Sequence, residues 1–176
     1  MEIEQSVAQH YTHGSLEQAV FDALSASGKN LDKLAPADLA PVDEFHIGGR
    51  QATIDLAAQL EIEPGGHLLD IGSGLGGASR YFAHERGYRV TGIDLTEEYV
   101  RVAGALAKCV RLESQVSYEH GNALALPFAR GSFDGAYMLH VGMNIDDKAA
   151  LFAEGSSNAQ ARWFLWGLRC DARAGR

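Results

Sequence analysis

Asp70 stands just ahead of three glycines at alternate positions, Gly72, Gly74 and Gly76, in the stretch LLDIGSGLGG at 68–77. Leu68, Leu69 and Ile71 form a short apolar run suited to a buried parallel strand. The acid therefore lies at a strand's end, and the glycines turn the chain into a helix. Such a turn lets backbone pass close to a ligand, since no Cβ intervenes and positive φ costs little. The helix after it aims its first N–H groups into the turn. A carboxylate at the strand tip repels a pyrophosphate and suits a ligand that brings positive charge instead. Asp94 closes a second apolar segment, YRVTGI at 88–93, about twenty residues beyond the turn. In nucleotide-type α/β folds an acid there accepts hydrogen bonds from ribose hydroxyls. The competing local role, capping the next helix, falls better to Thr96 with Glu97 and Glu98.

The elements that must position these groups follow from periodicity. Residues 1–47 read as an N-terminal helical cap. Within it a helix over 15–25 starts on Ser15 and carries Leu16, Ala19, Val20, Ala23 and Leu24 at helical spacing, and 29–41 is turn-rich with Pro36 and Pro41 as breakers. The segment DEFHIGGR at 43–50 mixes an aromatic, His46, paired glycines and Arg50, which is unusual for a plain connection. Arg50 could meet a carboxylate, though a solvated helix start is the favoured reading. Helices are expected over 51–60, 78–85 and 96–112, and strands over 68–71, 88–93, 116–120 and 135–139. This alternation predicts an α/β fold, a doubly wound, mostly parallel sheet. Ligand then sits at the carboxyl ends of the strands: Asp70, Asp94, Asn122 and the Leu139–His140 pair converge there from four separate stretches.

Composition narrows the function classes. The 176 residues are 46% hydrophobic, enough for one domain with a core. A formal net charge of -8 argues against general nucleic-acid or anionic-membrane binding. No signal peptide and no apolar run of spanning length is read. Cys109 and Cys170 make neither a metal spacing nor a disulfide framework, which suits a reducing cytoplasm. His10 and His13 lie close together without a further ligand, so no metal site is expected.

Two patterns fit the glycines. Gly72, Gly74 and Gly77 satisfy G-x-G-x-x-G, the dinucleotide fingerprint. Asp70 with Gly72, Gly74 and Gly76 satisfies the acid-x-G-x-G-x-G of class I S-adenosylmethionine (SAM) methyltransferases. Together with Asp94, the segment GNALALPF at 121–128 and SFDGA at 132–136, the chain from about Tyr11 to Glu154 resembles that family in order and spacing. It is most similar to the ubiquinone/menaquinone-type and the sarcosine and phosphoethanolamine methyltransferases. The resemblance implies a Rossmann-like SAM-binding domain at 48–154 and methyl transfer to a small-molecule acceptor. Asp70, Gly72, Ser73, Gly74 and Gly76 would hold the methionine end, Asp94 the ribose and Asn122–Ala123 the adenine edge. Leu95 would pack on the adenine face, with Leu139 and Tyr11 completing the cofactor set. The family often has Asp where Asn122 stands; Asn both donates and accepts there. His140 is the candidate acceptor contact or base, with Tyr11 and His46 next. An NAD(P)-dependent oxidoreductase and a non-catalytic SAM-binding module are the alternatives.

The resemblance breaks after Glu154. Residues 155–176 read GSSNAQARWFLWGLRCDARAGR, and the last sixteen carry four arginines and one acid, against eleven basic and 22 acidic residues before them. Sliding the reading frame forward by one nucleotide from Gly155 permits E-V-R-R-M-L-K-P-G-G-F, the continuation the family expects. A one-nucleotide insertion near codon 155 accounts for this atypical tail. On that reading the family's C-terminal strands are missing and the strand beside 135–139 is absent or replaced.

Overall fold

The computed structural model describes residues 16–44, 46, 48–60 and 62–166, with 159–166 as backbone. In chain order the elements are α1 (Leu16–Ala26), α2 (Pro36–Asp43), α3 (Gly49–Ala57), β1 (His67–Ile71), α4 (Gly77–Arg86), β2 (Arg89–Asp94), α5 (Glu97–Cys109), β3 (Val116–His120), β4 (Phe133–Leu139), α6 (Lys148–Asn158) and β5 (Ala159–Trp166). All the strand pairings are parallel and the sheet runs β3-β2-β1-β4-β5. β1 lies at its centre, so the glycine turn leaves the middle of the sheet at its carboxyl edge.

The period-2 alternation of strands sorts the core into two layers. Leu68, Val90 and Tyr137 face the layer holding Leu24, Leu39, Leu56, Phe82, Val102 and Leu106 from the first five helices. Leu69, Ile71, Ile93, Ala136 and Met138 face the opposite layer, where Leu151 of α6 and the 123–128 loop pack. Helices on both faces explain why the strands read as near-continuous apolar runs. Asp70 shares the face of Leu68 and is 2% exposed. That is an expensive place for a carboxylate.

Two differences from the sequence reading have a clear physical reason. The turn-rich 29–41 contains α2. Pro36 takes its first turn, where a missing N–H costs nothing, so Pro41 alone removes a helical bond. α3 starts two residues early, at Gly49, because Gly48 takes a left-handed φ of 87° and caps it. Of the two expectations for the strand beside β4, absent or replaced, the backbone shows the second, a strand from the tail. β5 pairs with β4 in the register Ala136↔Trp163 to Leu139↔Trp166, irregular between Phe133 and Gly135. β4 would otherwise leave a row of unpaired backbone groups at the sheet edge, and an aromatic-rich segment suits a strand there.

The cap is fixed to the sheet layer by charge as well as by apolar contact. Arg80 of α4, 1% exposed, donates to Asp43 of α2, to the Leu75 carbonyl at 2.7 Å and to Ala103 O and Tyr118 Oη at 3.3 Å each. Glu44 next to it accepts from Arg50 Nη1 at 3.2 Å and from the Thr53 hydroxyl at 2.6 Å. Among the described residues no helix is long and apolar enough to cross a membrane.

Candidate functional site

The turn between β1 and α4 is fastened to the end of β2. Gly72 and Ser73 donate to the Ile93 carbonyl at 2.8 and 3.1 Å, and Gly76 N–H bonds Ser73 O at 2.8 Å. Gly72, Gly74 and Gly76 all have positive φ, at 74°, 53° and 78°. They are glycines for different reasons. A Cβ on Gly72 would stand 2.5 Å from Val141, and one on Gly76 would overlap the Tyr118 phenol, whereas one on Gly74 would meet nothing within 4 Å. Gly74 therefore faces the open cradle and the other two are packed. Gly74→Ala is expected to cost roughly 1–2 kcal/mol of backbone strain and leave a folded protein. Gly76→Ala adds an overlap of roughly 1–3 kcal/mol. Urea denaturation of the two variants measures the difference.

Two carboxylates flank this cradle. Asp70 Oδ2 accepts from the Ser79 hydroxyl at 2.6 Å. Burial pushes the Asp70 pKa up to about 6; the Ser79 bond opposes the rise and the Asp94 charge adds to it. Asp94 Oδ2 accepts from Gly74 N–H at 2.8 Å and Oδ1 from Thr96 N–H at 2.9 Å. Burial raises Asp94 as well, and those two backbone bonds hold it back. Among the described residues neither acid has an ion-pair partner. Thr96 is the N-cap of α5, with Glu97 and Glu98 in its first turn as expected, although its side chain makes no cap bond; Asp94 bonds the Thr96 N–H just ahead of the helix. A carboxylate has room for about four hydrogen bonds, so the two backbone donors leave Asp94 with acceptor capacity to spare.

The remaining candidates lie along the same edge. Gly121 N–H bonds Asp94 O at 2.9 Å, which holds half-buried Asn122 and Ala123 beside the end of β2. Asn122 Oδ1 accepts from Leu124 N–H at 2.8 Å and so shapes its own turn. Half-buried Leu95 places its carbonyl 3.0 Å from His120 Nε2. Leu139 is buried at the tip of β4. His140 follows with a left-handed φ of 57°, and its ring stacks on His46 at 5.3 Å and 15°. Ser73 Oγ is buried without a hydrogen-bond partner among the described residues. Tyr11 lies outside the described residues. Arg50 belongs to the first turn of α3, paired with Glu44 and 5.0 Å over the Tyr81 ring.

Sequence reading missed Arg80, Tyr118 and the contact between His46 and His140. Arg80 left a signal: it sits three residues from Gly77 and from Ala83, on the small-residue stripe of α4 that must face the cap. The histidine contact joins residues 94 positions apart, and no local pattern encodes it.

A family model described as a methyltransferase domain matches residues 69–156, half of the chain. An O-methyltransferase from Aspergillus sclerotiorum is 33% identical over 111 residues, covering 63% of this chain and 42% of its own. Ajmaline N-methyltransferase from Rauvolfia serpentina is 31% identical over 163 residues, covering 87% of this chain and 53% of its own. Geranyl diphosphate C-methyltransferase from Streptomyces coelicolor, crystallised with Mg2+, geranyl-S-thiolodiphosphate and S-adenosyl-L-homocysteine, superposes with a TM-score of 0.70. It is 20% identical and the superposition covers 93% of this chain and 64% of that one, a likeness of fold. The chain spans about half the length of the curated relatives it matches. With the match over 69–156 and this sheet order, the chain belongs to the methyltransferase domain family.

Proposed function

We propose that the chain binds S-adenosylmethionine and directs its methyl group to a small-molecule acceptor. One observation carries this reading: two buried or half-buried carboxylates at adjoining strand tips, neither with an ion-pair partner among the described residues, flank an open glycine cradle. A ligand with an ammonium and a sulfonium supplies the charge those acids lack; a pyrophosphate would add to their repulsion. The residues present therefore fit the cofactor. Asp70, Gly72, Ser73, Gly74 and Gly76 hold its methionine end and Asp94 its ribose. Asn122 and Ala123 meet the adenine edge, Leu95 packs on the adenine face, and Leu139 and Tyr11 complete the cofactor set.

When bound, S-adenosylmethionine supplies a methyl group on a positively charged sulfur, already a good electrophile. What remains for the chain is to place an acceptor atom in line with that methyl and to exclude water. His140, at the tip of β4, is the acceptor contact. In this reading 1–47 is an N-terminal cap and 48–154 the SAM-binding domain. The net charge of -8 supports a small molecule over a nucleic acid as the acceptor, and the cysteine usage supports a cytoplasmic setting. The frame-shifted origin of 155–176 is part of this reading. It is supported by the change of charge and by a family match that ends at 156. Codons that cannot encode K-P-G-G in the shifted frame would contradict it.

Thermal denaturation tests the cofactor. S-adenosylhomocysteine at a hundred times its Kd is expected to stabilise the fold by about 2.7 kcal/mol, a rise of several degrees in Tm. NADH is expected to leave Tm unchanged. Stabilisation by NADH alone would assign the site to a dinucleotide.

A further inference from the structure

Arg80 makes more bonds than an ion pair needs. A buried guanidinium is costly, and among the described residues Asp43 alone meets its charge. Its planar fork nevertheless reaches three further acceptors: the Leu75 carbonyl at 2.7 Å, and the Ala103 carbonyl and Tyr118 hydroxyl at 3.3 Å each. Leu75 stands between Gly74 and Gly76 and is 1% exposed. It precedes α4, so its carbonyl lies outside the helical ladder and needs a donor from elsewhere. Arg80 is that donor.

Tyr118 completes the support. Its hydroxyl accepts from Arg80 and donates to the Gly76 carbonyl at 3.2 Å, which also takes the Arg80 N–H at 3.0 Å. Burial pushes the phenol pKa up to about 12, so the ring keeps the proton it donates. Two glycines make room for it. A Cβ on Gly76 would overlap the Tyr118 hydroxyl, and one on Gly92 of β2 would stand 2.7 Å from Tyr118 Cδ1. The N–H side of the same turn is tied to the end of β2, through Ile93 O and the Asp94 carboxylate. With its carbonyls held from α4 and β3 and its N–H groups held from β2, the turn has one shape before any ligand arrives.

We propose that Arg80 and Tyr118 are positioning residues of the cofactor cradle. They clamp the Leu75 and Gly76 carbonyls, so that the backbone at Gly74 meets the methionine end of SAM already in its bound shape. Asp43 supplies the counter-charge that lets a guanidinium do this from inside the protein. The proposal rests on the SAM reading of the cradle. Arg80, 1% exposed, acts through the turn and not by contact with the ligand. Its effect is on affinity, because a turn that must be ordered on binding gives up part of the binding free energy. Ordering a single backbone residue corresponds to roughly tenfold in an equilibrium constant.

Calorimetric titration with S-adenosylhomocysteine tests this on wild type, Tyr118→Phe and the double variant Arg80→Met with Asp43→Leu, each paired with urea denaturation. Tyr118→Phe keeps the ring beneath Gly76 and removes only the hydroxyl. The double variant removes the clamp without stranding a charge, so its stability returns toward wild type. The expected result is a loss in affinity of about three- to tenfold for Tyr118→Phe and of at least about tenfold for the double variant. In the ligand-free proteins, amides at 72–76 are expected to exchange faster in Tyr118→Phe than in wild type. A residue that only anchors the cap would alter stability and α2 and leave both readings alone. Wild-type affinity in the double variant, or in Tyr118→Phe if the double variant does not fold, would overturn the positioning role. Unchanged exchange at 72–76 in Tyr118→Phe would overturn it too. A folded wild-type chain that ignores S-adenosylhomocysteine overturns the cofactor reading instead, and is told apart because the exchange measurement uses no ligand.

Discussion

Asp70→Asn is expected to stabilise the free protein near neutral pH while weakening its grip on a cationic ligand. The carboxyl is fully buried with its pKa raised from 3.8 to about 6. The folded state therefore keeps a proton that the unfolded chain has already released. The resulting stability is complete below pH 3.8 and is lost as pH rises to about 6. A pKa raised that far corresponds to a cost of about 3 kcal/mol at full ionisation. An asparagine keeps a partner for Ser79 and carries no charge, so its denaturation midpoint at pH 7 should exceed that of wild type. The difference between the two should shrink toward pH 4. Ligand binding should move the other way, because the amide offers no charge to an ammonium: a loss of at least about tenfold in affinity, or roughly 1.4 kcal/mol. For wild type the same linkage makes SAM bind more tightly as pH rises through about 6, with proton release on binding. Urea titrations across pH, paired with binding measurements, check both halves. Equal stability of the two proteins at pH 7 and pH 4 would show that the Asp70 charge is compensated.

Arg80→Met is expected to be the most damaging single substitution outside the glycine turn. It leaves Asp43 buried and unpaired, and it removes the donor that satisfies the Leu75 carbonyl. Breaking one side of a buried pair costs roughly 3–5 kcal/mol, a large share of the stability of a domain this size. The double variant Arg80→Met with Asp43→Leu should recover much of that loss, since no charge is then stranded. Hydrogen exchange should place the damage at α2 and its contact with α4, because the pair joins these two helices. Urea denaturation of the single and double variants gives the coupling energy. An Arg80→Met protein as stable as wild type would mean that Asp43 reaches water by another route.

The cofactor half of the site was legible because its chemistry lies in contiguous sequence. The apolar run before Asp70, the alternate glycines and the acid closing β2 are local patterns. β3 at 116–120 agrees with its observed bounds. The cap was less legible. Pro36 and Pro41 suggested breaks, yet a proline at the first turn of a helix is harmless, and α2 forms around them. The ionic pairs that anchor the cap join Asp43 to Arg80 and Glu44 to Arg50. Their meaning depends on the tertiary fold, although the mix of an aromatic, His46, paired glycines and Arg50 at 43–50 marked the segment as unusual. His140 was visible as a strand-tip residue, but its partner in the cap was not, because 94 residues separate them. The fifth strand was left open, as absent or replaced, for a different reason: the sequence after 154 departs from the family pattern, while a free β4 edge offers backbone groups for a segment to pair with.

The central claim is that Asp70, Asp94 and the glycine cradle form a SAM site within the described sheet. Calorimetric titration of the 176-residue chain with S-adenosylhomocysteine, with NADH as control and circular dichroism as the measure of folding, tests it most directly. Saturable binding of S-adenosylhomocysteine alone, weakened in Asp70→Asn, is the expected result. A folded protein that ignores S-adenosylhomocysteine, or that binds NADH in its place, would contradict the account.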